Sequence, residues 1–401
     1  MKQKKLMLLG GSRYLLPVIK AAHEKGYYVI TCDYLPDNIA HKYSDDYVNV
    51  SIVDKEAVLA VAKEKKIDGI MSFGVDPGVV SASYVQNQLH LPSFGPYESV
   101  VILQNKDKFR AFLRDNGFNV PKSKGYSAKE DALADAANFD YPIIVKPTDS
   151  AGSKGVMRVD NVEQLSVAVD NAFEQSIKGN IIIEQFIEKK GCSSDCDAFC
   201  QKGKLKFISF NSQYFDEDAE NPYIPAAYSW PSTFTQEQEQ YFTSEIQRLL
   251  TLLQMETSVY NIETRIGQND KPYIMEVTPR GGGNRLSEMI RYATGVDLIM
   301  ACTCAAVGDE IPLISQKPYI GNWVEIILHS EKDGLFKELK IRDDLTSSII
   351  EKDLWVKKGD KVSTFRGAKD SIGTLVMNVS SEQGQSEMLL SIPQWLSIET
   401  C

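Results

Sequence analysis

Two carboxylates within one predicted hairpin point most directly to chemistry. Glu263 lies inside the apolar run 259–266, Glu276 lies near the end of the run 271–277, and a turn at 268–270 joins the two runs. Antiparallel pairing would place both side chains on one face of the hairpin. Like charges that close repel each other unless a cation lies between them, and Mg²⁺ prefers carboxylate oxygens and bridges phosphates. The alternative is that each carboxylate pairs with an arginine or lysine, or faces solvent.

A loop between two strand-like runs, at 141–159, is the second candidate. Lys146 closes the first run, and small or charged residues follow it, namely Ser150, Gly152, Ser153, Lys154 and Gly155. Glycine-containing turns bring backbone N–H groups close to an anion, and lysines supply positive charge. Because no G-x-x-x-x-G-K-[ST] motif leads into a helix, this is not a Walker loop. The pattern predicts a mobile β-hairpin lid over a nucleoside triphosphate, with an ordinary glycine-bearing turn as the alternative.

Two arginines follow the second carboxylate in the segment PRGGGNR. They are Arg280 and Arg285, and three glycines separate Arg280 from Asn284. A guanidinium beside a metal can hold a carboxylate or a transferring phosphoryl group through two hydrogen bonds. We expect the glycines to let the backbone approach a ligand. An exposed arginine in a glycine-rich loop is the alternative.

The elements that position these residues begin with an alternation of strands and helices over residues 1–95. This alternation predicts a doubly wound parallel sheet, the α/β class. Gly10 after the first strand and Asp33 after the second also outline a dinucleotide-binding fold. Its glycine fingerprint fails in both registers, since Leu15 or Tyr14 occupies the last glycine position. Dinucleotide binding, and with it an oxidoreductase, is therefore the weaker alternative.

A change of pattern near residue 96 predicts a second domain of the α+β class. We expect this domain to cover 96–310, with a lid subdomain at about 120–190, and the β-rich remainder at 311–401 to be a small subdomain of low functional content. Asp76 follows the apolar strand of the first domain at the start of a helix. Its expected role is to cap that helix, and contact with a substrate is the alternative.

Composition limits the class of protein. The net charge of −10 argues against nucleic acid as the main partner, because phosphate backbones need basic surfaces. The apolar run at 6–9 is too short for a signal peptide, and no run reaches the length of a membrane span. We therefore expect a cytoplasmic chain without membrane contact. Cys196, Ala198 and Cys200 would share one face of a strand and pack as small apolar residues rather than bind a metal.

Taken together, these motifs resemble those of the ATP-grasp superfamily, in its carboxylate–amine ligase branch. That branch includes glycinamide ribonucleotide synthetase, the halves of carbamoyl phosphate synthetase and amino acid ligases. The resemblance covers nearly the whole chain, and the segment ATGVDL at 293–298 also resembles the start of the family's closing helix. It implies an N-terminal "pre-ATP-grasp" α/β domain followed by two α+β subdomains that hold ATP between them.

The resemblance also implies a role for each matching residue. Glu263 and Glu276 would hold the metal, and Arg280 and Lys154 would act on the substrate and the transferring phosphoryl group. Glu184 would meet the adenine amino group. The implied nucleotide contacts are Lys106, Lys146, Ser150, Gly152, Ser153, Lys154, Gly155, Glu184, Phe186 and Ile187.

The implied reaction activates a substrate carboxylate as an acyl phosphate, from which an amine displaces phosphate. ATP with Mg²⁺, or Mn²⁺ in its place, would be the cofactors, small-molecule carboxylates and amines the partners, and a homodimer the assembly. Two residues depart from the pattern. Thr278 replaces an asparagine that commonly serves as a further metal ligand, and its hydroxyl can still bind the metal. Ser193 replaces an acid at the ribose hydroxyls. These departures leave a non-catalytic ATP-binding protein as an alternative.

Overall fold

The N-terminal region is a parallel sheet with helices, as the alternation of strands and helices predicts. In the computed structural model, which describes residues 3–150 and 153–401, its strands pair in the order β3-β2-β1-β4. These elements are β1 (Lys5–Leu9), α1 (Leu16–Glu24), β2 (Tyr28–Cys32), β3 (Asp46–Val48), α2 (Lys55–Lys65), β4 (Gly69–Ser72) and α3 (Val79–Leu89). Because parallel strands end at a common edge, the residues after β1 and β4 lie near one another.

The glycine turn after β1 is explained by packing. A Cβ on Gly10, where φ is +115°, would meet the Val75 side chain at 2.9 Å. A Cβ on Gly11 would meet Asn38 and His41 at 2.6 Å. The crowding requires glycine at these positions without any bound dinucleotide.

Two helices lead from this region to the lid. They are α4 (Tyr97–Leu103) and α5 (Lys106–Asp115). The side chain of Asn105 accepts a hydrogen bond from the Lys108 N–H at 2.9 Å and so caps α5. Lys106 is thereby fixed in the first turn of an amphipathic helix whose buried face includes Phe109 and Leu113.

The lid is a four-stranded antiparallel sheet with the order β5-β8-β6-β7. Its elements are β5 (Ser123–Tyr126), α6 (Lys129–Ala134), β6 (Ile143–Pro147), β7 (Met157–Val159), α7 (Leu165–Gln175) and β8 (Ile181–Gln185). The predicted hairpin is confirmed, since β6 and β7 pair from Ile143 with Val159 to Val145 with Met157.

A second antiparallel sheet, of order β10-β9-β13-β14, carries most of the predicted chemistry. The elements from here to the end of that sheet are β9 (Ser194–Gln201), β10 (Lys204–Ser209), β11 (Ser212–Phe215), β12 (Pro225–Trp230), α8 (Gln236–Leu252), β13 (Ser258–Ile266) and β14 (Pro272–Thr278). The expected strand face is confirmed, because Cys196, Ala198 and Cys200 are all fully buried in the main hydrophobic core.

The C-terminal region completes a five-stranded antiparallel sheet of order β11-β12-β15-β19-β17 and adds a three-stranded one, β18-β16-β20. Its elements are α9 (Leu286–Thr294), α10 (Leu298–Ala306), β15 (Asn322–His329), β16 (Gly334–Ile341), β17 (Ile349–Leu354), β18 (Lys361–Val362), β19 (Ser371–Val379), α11 (Glu382–Leu390), α12 (Ile392–Trp395) and β20 (Leu396–Thr400). Since β11 and β12 pair with the later strands, the predicted boundary at residue 310 does not separate two sheets. In the described ranges, no helix has the length and apolar character that crossing a membrane requires.

Candidate active site

Three adjacent strands place three carboxylates in one row. Glu263 on β13 lies directly opposite Glu276 on β14 and, on its other side, opposite Asp195 on β9. Directly opposite residues in antiparallel strands share a face, so the three side chains project the same way. The predicted pairing of Glu263 with Glu276 is therefore confirmed, and the third acid, Asp195, was not expected in this row. We call Asp195, Glu263 and Glu276 the carboxylate row.

A parallel row lies two residues along the same strands. There Asn261 lies opposite Asp197 on one side and Thr278 on the other. The Thr278 hydroxyl is buried and accepts a hydrogen bond from Gln104 Nε2 at 3.1 Å. Thr278 thus shares the face of Glu276, and its service as a metal ligand stays a prediction.

Each hairpin carboxylate lies near a basic side chain, as the alternative considered from the sequence expects. Lys106 Nζ lies 3.8 Å from Glu276 Oε2, and Arg265 Nη2 lies 3.3 Å from Glu263 Oε1. Burial opposes ionisation of Glu276, but Lys106 and Lys146 hold the pKa of its carboxyl below the usual value. Among the described residues, no group of three or more His, Cys, Asp or Glu could hold a metal ion by itself. Glu263 and Glu276 fit a Mg²⁺ whose remaining ligands are phosphate oxygens and water.

A buried group of charges lies beside this row on the lid side. Glu184 on β8 is fully buried, with Lys146 Nζ 2.6 Å from one carboxylate oxygen and Arg110 Nε 2.7 Å from the other. Arg110 also donates to the carbonyl of Met275 on β14 at 2.8 Å. Burial raises the pKa of Glu184, but these two cations outweigh it and hold that pKa below its usual value. Burial lowers the pKa of Lys146.

Glu184, which was expected to contact adenine, is paired with two cations in this structure. Both oxygens of Glu184 are engaged by cations, and its contact with adenine stays a prediction. Arg110 was missed, although it lies four residues after Lys106 and so on the same face of α5. Beyond β8, Phe186 N–H donates to the Pro142 carbonyl at 3.1 Å.

The lid loop is held at both ends. The Ser150 carbonyl accepts a hydrogen bond from Lys106 Nζ at 3.1 Å, which joins two of the predicted nucleotide residues. Ser153 has φ of +57° and donates through Oγ to the carbonyl of Tyr223 at 3.0 Å. Gly155 has φ of +69°, and Lys154 between them is exposed. The predicted phosphate contact at Gly152 lies outside the described residues.

The segment that follows β8, at 186–193, is linked to the carboxylate row by Arg265. Its guanidinium donates to the carbonyl of Ile187 at 3.1 Å and to Ser193 Oγ at 3.2 Å, besides its contact with Glu263. Ser193 is fully buried. The residue at the expected ribose position therefore holds Arg265.

Arg280 is buried on the opposite side of the row and pairs with the N-terminal domain. Its Nε and Nη2 lie 2.8 and 2.7 Å from Asp76 Oδ1, and its Nη1 donates to Asn261 Oδ1 at 3.0 Å. The expected capping role of Asp76 is wrong, because Gly78 precedes α3 and that helix has no side-chain cap. Burial lowers the pKa of Arg280, but Asp76 outweighs it and raises that pKa.

Two of the three glycines after Arg280 serve packing rather than ligand approach. A Cβ on Gly281 would meet the Phe73 ring at 2.2 Å, and a Cβ on Gly282 would meet Leu286 at 2.4 Å. Asp197 accepts hydrogen bonds from the Gly282 N–H at 2.9 Å and from Ser287 Oγ at 2.5 Å. Asp197 thus anchors the glycine loop.

Asp195 has a different environment from Asp197. It accepts hydrogen bonds from Asn261 Nδ2 at 2.7 Å and from Tyr228 Oη at 3.2 Å. Burial, with the charges of Glu263 and Asp197, raises the pKa of its carboxyl to about 7. Tyr228 lies on β12, so the five-stranded sheet borders the site.

Comparison with known proteins agrees with this geometry. The family model described as "ATP-grasp domain" matches residues 103–284. The carbamoyl phosphate synthase large chain of Helicobacter pylori (strain ATCC 700392 / 26695) is 26% identical over 285 residues, which are 69% of this chain and 25% of that protein. The chain therefore spans about a quarter of the length of this curated relative.

Solved structures match the whole chain. L-amino acid ligase from Bacillus licheniformis has a TM-score of 0.80 at 20% identity, with all of both chains covered. The biotin carboxylase domain of Hydrogenobacter thermophilus 2-oxoglutarate carboxylase, solved with MgADP, ADP and bicarbonate, has a TM-score of 0.74 at 16% identity and covers 100% of this chain and 91% of its own. At these identities the likeness to solved structures shows the fold alone, and the ATP-grasp domain model matches the part of the chain from residue 103 to residue 284.

Proposed function

We propose that this protein is an ATP-dependent ligase that joins a small-molecule carboxylate to an amine. The observation that carries the proposal is the carboxylate row, which lies between a cation-rich lid side and the buried Arg280. Lys106 links the carboxylate row to the lid loop, since its ammonium contacts both Glu276 and the carbonyl of Ser150. Proteins of similar fold include an amino acid ligase and a carboxylase solved with MgADP.

The proposed reaction has two steps. A carboxylate oxygen of the substrate attacks the γ-phosphorus of ATP, the bond from that phosphorus to the bridging oxygen breaks, and ADP leaves. The amine nitrogen then attacks the acyl carbon, and the carbon–oxygen bond to phosphate breaks. The products are an amide, ADP and inorganic phosphate, with a proton lost from the amine. No covalent enzyme intermediate is required.

The side chains of this chain would act by position and charge. Lys106 and Lys146 would face phosphate oxygens, Lys154 and Ser153 would close the lid over them, and Arg280 would hold the activated carboxylate. Mg²⁺, or Mn²⁺ in its place, would sit against Glu263 and Glu276 and neutralise phosphate charge. For Arg280 to bind a substrate, Asp76 must share or release the guanidinium.

A phosphate-release screen of carboxylates crossed with amines tests the proposal. We expect phosphate release from MgATP to depend on a particular carboxylate and an amide to form only when a particular amine is also present. The Glu276→Ala protein should lose that release in the same wells. Tight ATP binding without turnover across the screen would instead favour a non-catalytic ATP-binding protein.

Two further points are part of the proposal. We place the enzyme among soluble small-molecule ligases of the cytoplasm, and we expect a homodimer. Light scattering after size exclusion would give the mass of the assembly. A mass equal to one 44.8 kDa chain at all concentrations would contradict the dimer.

A further inference from the structure

A row of polar side chains crosses the five-stranded sheet beside the carboxylate row. Gln213 on β11 lies opposite Tyr228 on β12, and Tyr228 lies opposite Glu325 on β15. All three are buried, with exposed fractions of 4%, 0% and 0%. We call Gln213, Tyr228 and Glu325 the polar patch. Because Tyr228 Oη donates to Asp195, the patch adjoins the Asp195 end of the carboxylate row.

The patch contains three hydrogen-bond acceptors without a partner. Within the described part of the chain, neither carboxylate oxygen of Glu325 has a hydrogen bond, and neither does Oε1 of Gln213. A buried polar group without a partner is destabilising, and a carboxyl group is among the most costly. An apolar side chain of similar volume would be more stable at position 325 if that position only filled space.

Potential donors surround Glu325, but each donates elsewhere. The charge of Glu325 contributes to raised pKa values at Tyr14 and Tyr228, after burial, so both phenols lie near it. Yet Tyr14 Oη donates to Asn284 Oδ1 at 2.9 Å, and Asn284 Nδ2 donates to Tyr228 Oη at 3.3 Å. The hydroxyl of Tyr228 is in turn committed to Asp195.

Arg285, the guanidinium whose charge acts on Glu325, is also committed. Arg285 donates to Glu351 at 2.8 Å, to Glu288 at 3.1 Å and to Thr374 at 3.3 Å. Glu351 lies on β17, two strands from Glu325 in the same sheet. Arg285 therefore donates to Glu288 and Glu351, whereas no described residue donates a hydrogen bond to Glu325.

We propose that the polar patch is the subsite for the amine substrate and that it binds a protonated primary amine. A primary ammonium group donates through its N–H groups, and the patch has unpartnered oxygens on Glu325 and, on the other side of Tyr228, on Gln213. Burial keeps a proton on Glu325 in the free protein, and an ammonium bound there would replace that proton and pair with the carboxylate. This inference rests on the proposed ligase and adds the chemical class and location of its second substrate.

Thermal unfolding with small amines tests the subsite without any turnover. The probes are ammonium and methylammonium chloride, which fit wherever a larger primary amine fits. Tetramethylammonium chloride at equal ionic strength is the control, since it carries the charge without an N–H donor. We expect both probes, and not the control salt, to raise the Tm of the wild-type protein.

Two variants locate the effect. Glu325→Met removes all of the open carboxylate, and Glu325→Gln keeps the shape without the charge in case the methionine variant does not fold. We expect either to abolish the rise in Tm caused by ammonium. Glu338→Gln makes the same chemical change at an exposed position on β16 and should respond like the wild type. Equal Tm shifts in wild type and the Glu325 variants, or no shift in the wild type, would overturn the subsite.

A kinetic readout separates this inference from the ligase proposal. With a substrate pair found by the screen, Glu325→Gln should raise the KM of the amine by about ten- to hundredfold, the usual effect of losing a hydrogen bond to a charged group. The KM of the carboxylate should change much less. An unchanged amine KM in an active ligase would overturn the subsite alone, whereas no stabilisation of the wild type by MgATP would overturn the ligase.

Discussion

The two sides of the carboxylate row carry opposite surplus charge. On the lid side, Lys146 and Arg110 both contact one buried acid, Glu184, and Lys106 adds a third cation beside Glu276. On the other side the buried guanidinium of Arg280 lies among three acids. Those acids are Asp76, Asp195 and Asp197.

The pKa values follow the same division. Neighbouring cations outweigh burial on the lid side and lower the pKa of Glu276, whereas burial and neighbouring acids raise that of Asp195 to about 7. The pKa of Glu325 is raised far above its usual range by burial. The lid side therefore carries the cations that complement the phosphates of ATP, whereas the acids on the other side keep their protons to higher pH.

Removing Arg110 should have the largest effect on stability. The Arg110→Met protein retains a buried Glu184 carboxylate with only Lys146 as its counter-charge, and losing one partner of a buried ion pair costs about 3–5 kcal/mol. Urea unfolding would measure this loss. Arg114→Met is the matched control one turn along α5, where the side chain is 57% exposed and its pair with Asp115 is a surface one. Equal losses in both proteins would contradict a buried charge group at the lid.

Removing Glu276 should have the largest effect on turnover. We expect Glu276→Ala to lower carboxylate-dependent phosphate release by about a hundred- to a thousandfold, as for loss of one strong electrostatic contact in a transition state. Glu256→Ala, an exposed acid just before β13, is the control and should keep wild-type rates. Wild-type turnover in the Glu276 variant would remove the carboxylate row from the mechanism.

Replacing Glu325 should have the opposite effect on stability from replacing Arg110. The native state holds a proton on Glu325 at pH values where the unfolded chain has released it, so the free energy of unfolding falls as pH rises above the usual glutamate pKa. Glu325→Met removes that pH-dependent loss. We expect the free energy of unfolding to rise by about 1–3 kcal/mol at pH 8 and by less at pH 5. Urea unfolding at the two pH values measures both. A destabilised variant at pH 8 would mean that Glu325 supports the fold.

The smallest effect is expected at the exposed lid lysine. Lys154→Ala should raise the KM of ATP by about tenfold through loss of one charge-assisted hydrogen bond, with stability unchanged. The effect should shrink as salt is added, because exposed charges are screened. Lys178→Ala, an exposed lysine outside the lid loop, should leave the KM of ATP unchanged. Identical KM values in the two variants would remove Lys154 from the phosphate contacts.

The sequence was sufficient for what local pattern determines. Alternation of strands and helices predicted the parallel sheet, and the turn at 268–270 predicted the register that brings Glu263 opposite Glu276. The β6–β7 hairpin also follows from two short β-branched runs and the loop between them.

What could not be predicted depends on contacts between distant segments. Asp76 meets Arg280 across 204 positions, and only the docking of the N-terminal sheet on the glycine loop makes them partners. Glu325 sits in a strand with no motif, and its lack of partners depends on how four other side chains are used. Arg110 was the one missed residue with a local signal, its helical spacing from Lys106.

Transfer of oxygen from the carboxylate substrate to phosphate tests the central claim most directly. A carboxylate labelled with heavy oxygen in both positions is incubated with MgATP, the amine and the wild-type protein, and the released phosphate is analysed by mass. If the carboxylate is activated as an acyl phosphate, each phosphate released with amide formation carries one heavy oxygen atom. Unlabelled phosphate alongside the amide would contradict attack of the carboxylate on ATP, and with it the ligase mechanism.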